Sequence, residues 1–380
     1  MARILIISFS DLKEDPRVFR QISHLSKKND VAEMGLGPSQ ITVTDFIPLK
    51  IPRKKNVPEK IIKVIRLLLH RYTGIYWNEF IDFGQIREKL SGRQFDIIIA
   101  NELDSLPLAV RIKKDAKIVF DAHEYSPKQN EDVLSFRIFM MGYINYLCQT
   151  YIPEADSMIT VSDGIAEEYY SVYGVKPTVI TNAPDFYNLY PMKTDDKKIK
   201  LIYHGEVSPS RQTELMIKMM DNVDERFCLD LMIKSSDTKY LDKLQELVKK
   251  RKNTRIISPV EMNQIIPFSN QYDIGLYILK PNNYNQKFAL PNKFFEYIQA
   301  RLAVAVGPSP EMANIVRKYD LGIVSDDFTP QSMAEKLNRL TKMKIEYYKN
   351  RSHSAASQLS SEKNLEKLDS IINELLPEEA

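Results

Sequence analysis

Residues 4–7, Ile4-Leu5-Ile6-Ile7, form a short continuous apolar run rich in β-branched side chains. Runs of this kind suit strands buried on both faces, as in a parallel sheet. The signature recurs at Asp96-Ile97-Ile98-Ile99-Ala100, Lys117-Ile118-Val119-Phe120-Asp121, Ser157-Met158-Ile159-Thr160-Val161 and Thr178-Val179-Ile180. Helical patterns lie between several of them. Residues 17–28 place Val18, Ile22 and Leu25 on one face, and residues 163–173 follow Ser162 as a candidate N-cap. Strands alternating with helices predict a doubly wound parallel sheet. From residue 182 to 200 the character changes, with Pro184, Pro191 and a charged run suggesting a linker. The alternation then restarts. Strands are predicted at 199–205, 228–233, 255–257, 274–277 and 303–306, and helices at 210–221, 240–251, 291–300 and 360–375. This gives two Rossmann-like α/β domains, 1–188 and 189–359, with a last helix over 360–380 that can pack back on the first. Ligands of such sheets bind outside the carboxyl ends of the strands. No residue-level repeat relates the halves.

The bulk properties agree with this division. At roughly 150 residues per domain, 380 residues make two domains the simplest count. Lys plus Arg number 53 and Asp plus Glu 50, a net charge of +3, which disfavours a charge-driven nucleic-acid binder. The chain is 43% hydrophobic and 27% charged, which disfavours disorder. Two cysteines, Cys148 and Cys228, form neither a disulfide framework nor a zinc pattern, and a reduced, cytoplasmic setting fits best. The first apolar run lacks a small-residue cleavage site and reads as a buried strand rather than a signal peptide. No stretch of about 20 apolar residues suggests a transmembrane helix.

The most informative segment for chemistry is Phe288-Ala-Leu-Pro-Asn-Lys-Phe-Phe-Glu-Tyr-Ile-Gln-Ala-Arg-Leu-Ala-Val-Ala-Val-Gly307. Pro291 starts a helix well, since its missing N–H is not needed there. The first turn then offers unpaired N–H groups and a positive dipole end to a phosphate. Glu296, a turn and a half inside, can accept hydrogen bonds from a sugar diol. The same pattern also suits a packed surface helix with a chance carboxylate.

Leu290-Pro-Asn-Lys-Phe-Phe-Glu296-Tyr, with Ala300 and the 303–306 strand, resembles the donor-site helix of family 4 glycosyltransferases, which have the GT-B fold. Further segments resemble that family in the same order: Asp15-Pro16-Arg17-Val18, Asp121-Ala122-His123-Glu124, Ala155 to Ser162, Tyr173-Gly174-Val175, Val179 to Pro184, and His204-Gly205. The resemblance covers about residues 1–340. It implies retaining transfer of a sugar from a nucleotide diphosphate sugar, with no metal and no further cofactor. The donor lies on the second domain and a glycan or lipid-linked acceptor on the first.

Roles follow position by position. Gly205 ends the strand that opens the donor domain. A basic pair spaced five apart grips the diphosphate in the family. Here those positions are Glu206 and Arg211, so another cation must assist, and Lys234 and Lys293 are the candidates, Lys293 being better placed beside Pro291 and Asn292. Glu296 matches the ribose-binding glutamate. Eight positions earlier, where the family has a second glutamate for the donor sugar, stands Phe288; Asn285 or Gln286 could serve instead. Val260 falls in the base-binding turn. His123 is implied as the contact to the transferring sugar, with Arg211 and Lys293 offsetting charge on the leaving group. Asp15, Arg17, Glu102 and Glu124 are candidate acceptor contacts, although Asp15 and Arg17 also suit a helix-entry ion pair, and Glu102 and Asp104 a capped turn. Asp326-Asp327 reads as a polar turn rather than a metal site.

Residues 50–80 mix Lys50, Arg53, Lys54, Lys55, Lys60, Lys63, Arg66, His70 and Arg71 with aliphatic residues, followed by Tyr72, Tyr76 and Trp77. A basic amphipathic helix with aromatics suits an anionic membrane surface, and equally a core helix with a solvated face. A second aromatic helix over 136–151 reads as core. Two other functions share this architecture: a nucleotide-sugar 2-epimerase-like isomerase, and a non-catalytic subunit that binds a partner enzyme. A dehydrogenase is disfavoured, because no G-x-G-x-x-G follows the first strand.

Overall fold

A computed structural model describes residues 1–49, 57–79 and 83–376. The chain divides into two units, one made of Met1–Ile180, Asn283–Asn285 and Leu365–Ala380, the other of Thr181–Asn282 and Gln286–Asn364.

The first unit is built on a seven-stranded, all-parallel sheet. Its strands are β1 (Arg3–Ile7), β2 (Asp30–Gly35), β3 (Asp45–Pro48), β4 (Ile97–Asn101), β5 (Lys117–Ala122), β6 (Ser157–Thr160) and β7 (Thr178–Val179), in the order β3-β2-β1-β4-β5-β6-β7. The apolar runs become its centre: every residue of β4 is buried. Ile4, Ile6, Ile97 and Ile99 pack with Val18 and Ile22 of the Pro16–Leu25 helix and with Leu368, Ile371 and Ile372 near the C-terminus. Two of these strands lie outside the sequence expectation. In β2 the run is broken by Glu33, which is buried and accepts a hydrogen bond from the Ser39 N–H at 3.1 Å. In β3 four residues end in a proline, which a sheet edge tolerates.

The second unit carries six parallel strands: β8 (Ile199–Glu206), β9 (Phe227–Lys234), β10 (Thr254–Ile257), β11 (Ile274–Tyr277), β12 (Ala303–Val306) and β13 (Gly322–Val324). Their order is β10-β9-β8-β11-β12-β13. The strand order reverses direction beside β8 in this sheet and beside β1 in the other, the switch points at which such sheets bind ligands. Gly275 of β11 has a positional reason. A Cβ there would meet the Tyr297 ring at 2.2 Å, so only glycine lets that ring lie flat on the sheet. The Tyr297 hydroxyl then donates to the Leu276 carbonyl at 3.2 Å. This contact anchors the Asn292–Gln299 helix one residue from Glu296.

Local boundaries differ from expectation in three places. The helix expected over 210–221 is a 3-10 turn, Pro209–Arg211, and a short helix, Glu214–Met219, because Gln212 takes a left-handed backbone, φ 45°, between them. Pro291 caps the Asn292–Gln299 helix from outside, with extended φ and ψ, instead of occupying its first turn. The segment expected as a core helix over 136–151 is buried only in its Met141–Tyr151 part; Phe136–Met140 is a π-turn with no buried residue.

Candidate active site

In the second unit, the site grows from the carboxyl end of β8. Tyr203, His204, Gly205 and Glu206 close that strand, and the Asn292–Gln299 helix packs beside them. Lys293 is 7% exposed. Its Nζ lies 4.3 Å from the Tyr203 ring centre and 5.3 Å from that of Tyr277, and it donates to the Tyr203 hydroxyl at 3.1 Å. Among the described residues it has no carboxylate partner. Gly205 has φ +120°, and a Cβ at that position would meet Lys293 Nζ at 2.8 Å. Glycine therefore meets two demands, the backbone conformation and the space for the ammonium. No side chain caps the helix start that Lys293 occupies. The start of such a helix suits an anion, as in phosphate sites at helix N-termini.

Arg211 ends the 3-10 turn after β8. Its guanidinium has no hydrogen bond or ion pair among the described residues, and its charge acts on Tyr277, which stacks on Tyr203 with ring centres 6.2 Å apart. Two cations without carboxylates thus gather at one pair of tyrosines. Lys234 closes β9 in register with Glu206, and both are exposed. Val260 follows β10 and packs partly against the core. Asn292 is exposed at the helix start. Glu296 Oε2 lies 3.5 Å from His204 Nε2. Phe288 sits under Lys287, whose Nζ is 5.1 Å from its ring centre. Asp327 Oδ1 accepts from the Thr329 N–H at 2.8 Å, a turn as expected.

In the first unit, the candidates gather at the ends of β4 and β5. His123 Nδ1 faces Glu102 Oε1 at 3.2 Å, and Nε2 faces Asn101 Oδ1 at 3.1 Å. Both ring nitrogens meet acceptors, an arrangement that the doubly protonated ring satisfies. Burial alone would lower the His123 pKa; the negative charge of Glu102, with Asp121 behind it, outweighs this and raises it. Glu102 itself has φ 65°, a strained conformation for its type that brings the carboxylate to the histidine. Burial, then the neighbouring charge of Glu102, pushes the Glu124 carboxyl up to about 8, so it holds a proton at neutral pH. Asn285 spends its amide nearby: Oδ1 accepts from the Tyr125 N–H at 2.8 Å, and Nδ2 donates to Glu124 Oε2 at 3.3 Å. Asp104 caps no helix; burial and Glu102 raise its pKa.

Two expected acceptor contacts are engaged within the fold. Arg17 is not a loop cation at the surface. It is 7% exposed, clasps the fully buried Asp121 with Nε at 2.9 Å and Nη2 at 2.7 Å, and donates from Nη1 to the Ile180 carbonyl at 2.7 Å. Gln21 adds a third bond to Asp121 at 2.5 Å. Asp15 is the N-cap of the Pro16–Leu25 helix, accepting from the N–H groups of Arg17 and Val18. The cap turns Arg17 inward, where a partner 104 residues away outbids solvent. Sequence reading also passed over Tyr203 and Tyr277 around Lys293, and Asn101 beside His123. The only signal for the first pair was their place at two strand ends flanking the expected helix.

Among the described residues, no group of three or more His, Cys, Asp or Glu side chains is arranged to hold a metal ion. Nor is any helix among them long and apolar enough to cross a membrane.

With this geometry in hand, the comparisons are specific. Residues 40–186 match the model described as Glycosyltransferase Family 4. Over this segment the chain is similar to glycosyltransferase family 4. No curated protein matches it by sequence. Solved structures match over nearly its whole length. HepE of Anabaena, in complex with UDP and glucose, has a TM-score of 0.66 at 12% identity and covers 98% of this chain and 100% of its own. Sucrose-phosphate synthase of Thermosynechococcus elongatus has a TM-score of 0.72 at 12% identity, covering 99% of each chain. A glycosyltransferase of Rickettsia africae has a TM-score of 0.69 at 15% identity, again covering 99% of each. Two parallel sheets of seven and six strands with these matches identify the GT-B fold.

Proposed function

We propose that this chain is a retaining, metal-independent glycosyltransferase that moves a sugar, of hexose type, from a nucleotide diphosphate sugar to a polysaccharide or lipid-linked glycan of the cell envelope. The observation that carries the reading is Lys293, a buried ammonium with no carboxylate partner among the described residues. A buried unpaired charge costs several kcal/mol, and a bound diphosphate is the partner that recovers this cost. The helix start and Arg211 supply further positive potential. When the glycosidic bond breaks, negative charge develops on the leaving diphosphate, and these groups offset it without a metal. Glu296 accepts hydrogen bonds from the ribose diol. Phe288 leaves the donor sugar without the usual carboxylate; of the two amides expected to serve instead, Asn285 is bonded to Tyr125 and Glu124, which leaves Gln286 for that role. In the first unit His123 contacts the transferring sugar or acceptor hydroxyl, and the protonated Glu124 donates a hydrogen bond beside it. Retention itself comes from the family resemblance. Since HepE is known with UDP, UDP is the first nucleotide to try.

The decisive experiment is a thermal shift with UDP, GDP and other nucleoside diphosphates on the wild type and Glu296→Ala. At about 100 times its dissociation constant, the right nucleotide stabilises the protein by roughly 2.7 kcal/mol. The shift is expected to fall sharply in the variant. No shift with any nucleotide would sink the donor site and favour the non-catalytic partner reading, for which Glu206 and Phe288 speak. Conversion of the nucleotide sugar without an acceptor would favour the epimerase-like reading.

The lipid side of this reading rests on the Val57–Leu68 helix. Its aliphatic residues Ile61, Ile62, Val64, Ile65 and Leu68 are exposed, and Leu67 is its single buried residue. Lys60, Lys63 and Arg66 flank the exposed stripe. The Phe136–Met140 turn packs against this helix and carries exposed Ile138, with exposed Val133 and Leu134 just before it in sequence. An exposed aliphatic stripe of this kind supports the reading of an interfacial helix. The aromatics expected to join it do not: Tyr76 is buried and bonds the Asp104 carbonyl at 2.5 Å, and Trp77 lies under Arg111 at 4.3 Å. Lys50, Arg53, Lys54 and Lys55 lie outside the described residues. Co-sedimentation with phosphatidylglycerol vesicles is expected for the wild type, and an Ile61→Gln, Ile65→Gln variant should bind at least tenfold more weakly. Equal binding by the variant would remove the helix from the membrane.

A further inference from the structure

His204 is a buried imidazole that the mechanism above does not use. It is 3% exposed, and its Nε2 has no hydrogen-bond partner among the described residues. Its ring is fixed against the edge of Tyr297, with centres 5.1 Å apart and planes at 81°. Tyr297 is in turn locked over Gly275 and bonded to Leu276. The orphan nitrogen therefore has a set direction, and it lies 3.5 Å from Glu296 Oε2. That is longer than a formed hydrogen bond, a spacing common in ligand-free sites that tighten on binding.

The charge state favours one arrangement. Burial first, then the positive charge of Lys293, drive the His204 pKa down to about 3. At working pH the ring is neutral, with one N–H and one lone pair. A lone pair aimed at a carboxylate would set two acceptors against each other, so the tautomer with the proton on Nε2 fits the site.

We propose that His204 is a positioning residue: its Nε2–H holds one oxygen of Glu296, so that the carboxylate presents its remaining lone pairs to the ribose 2′- and 3′-hydroxyls of a nucleoside diphosphate. The proposal rests on the reading of Glu296 as the ribose contact. His204 touches neither the reacting atoms nor the sugar. It acts by holding one glutamate oxygen in place before the ligand arrives, which is how a supporting hydrogen bond raises affinity.

The test is a comparison of UDP with 2′-deoxy-UDP, and of GDP with 2′-deoxy-GDP, by calorimetric affinity on the wild type, Glu296→Ala, His204→Leu and His204→Gln. The wild type is expected to prefer the ribonucleotide. In His204→Leu that preference should shrink by about tenfold, the worth of one hydrogen bond to a charged group, while 2′-deoxynucleotide affinity changes little. His204→Gln carries an amide nitrogen near the place of Nε2 and should restore the preference. A space-filling role for His204 would weaken both nucleotides alike, and that outcome overturns the proposal. So does an unchanged preference in His204→Leu. If Glu296→Ala leaves the preference intact, the ribose reading of Glu296 fails instead. Should His204→Leu not fold, His204→Asn replaces it. Asparagine places its amide nearer Nδ1, so a preference equal to that of the glutamine variant would again overturn the proposal.

Discussion

Replacing Lys293 by methionine is expected to raise the melting temperature of the ligand-free protein and to abolish its nucleotide binding. The two effects have one cause. The ammonium is buried between the Tyr203 and Tyr277 rings without a carboxylate, so the empty site carries a desolvation cost. Cation–π contacts and the bond to the Tyr203 hydroxyl return part of it. Methionine keeps the length and most of the volume, and leaves no charge behind. The net gain should be about 1–2 kcal/mol, a few degrees in a domain of this size. Binding moves the other way. A charge-assisted contact to phosphate in a water-poor site is worth a hundredfold or more. Calorimetric melting with and without nucleotide reads both numbers. A fall of several degrees in the empty protein would mean that Lys293 is a structural cation. Affinity within twofold of wild type would remove it from the donor site.

The second large effect is in the first unit. Asp121→Asn is expected to cost about 3–5 kcal/mol, because it leaves the Arg17 guanidinium buried and uncompensated. On a unit of this size that is roughly 10 °C. A paired variant, Arg17→Met with Asp121→Leu, should recover much of the loss, since neither charge then remains. The sign of the pH dependence follows from Asp121 itself. Burial would raise its pKa, but the charges of Arg17 and His123 outweigh burial and hold it below the usual carboxylate value. A depressed carboxylate contributes stability that is fully present above the unfolded value near 4 and lost as pH falls through the lower folded value. The gap in melting temperature between wild type and Asp121→Asn should therefore stay constant from pH 8 to 5 and close only in stronger acid. A gap that closes near neutrality would assign the effect to His123 instead.

Most of the sheet framework is legible in the residues themselves. The runs at 4–7, 97–100, 118–120 and 303–306 can be stable only where both faces are covered, and they form the buried strands β1, β4, β5 and β12. What escapes is each strand whose pattern is broken locally and mended from a distance. β2 contains the buried Glu33, which the Ser39 N–H meets at 3.1 Å. β3 and β13 are three or four residues long and owe their existence to an adjacent strand edge.

The site divides in the same way. Sequence alone determined a helix starting about Pro291 with Lys293 and Glu296 on it, the glycine at 205 and His123 after a strand. Those are local matters of backbone conformation, capping and chain order. Tertiary structure decided which charges are free to bind anything. Arg17 and Lys293 are both cations at the mouths of parallel strands, indistinguishable by type or pattern. Arg17 finds Asp121 across 104 positions of sequence and is neutralised, whereas Lys293 meets two tyrosine rings and no carboxylate among the described residues. Long-range pairing sets the local dielectric and the charge balance of each group, and neither is written in the residues next to it.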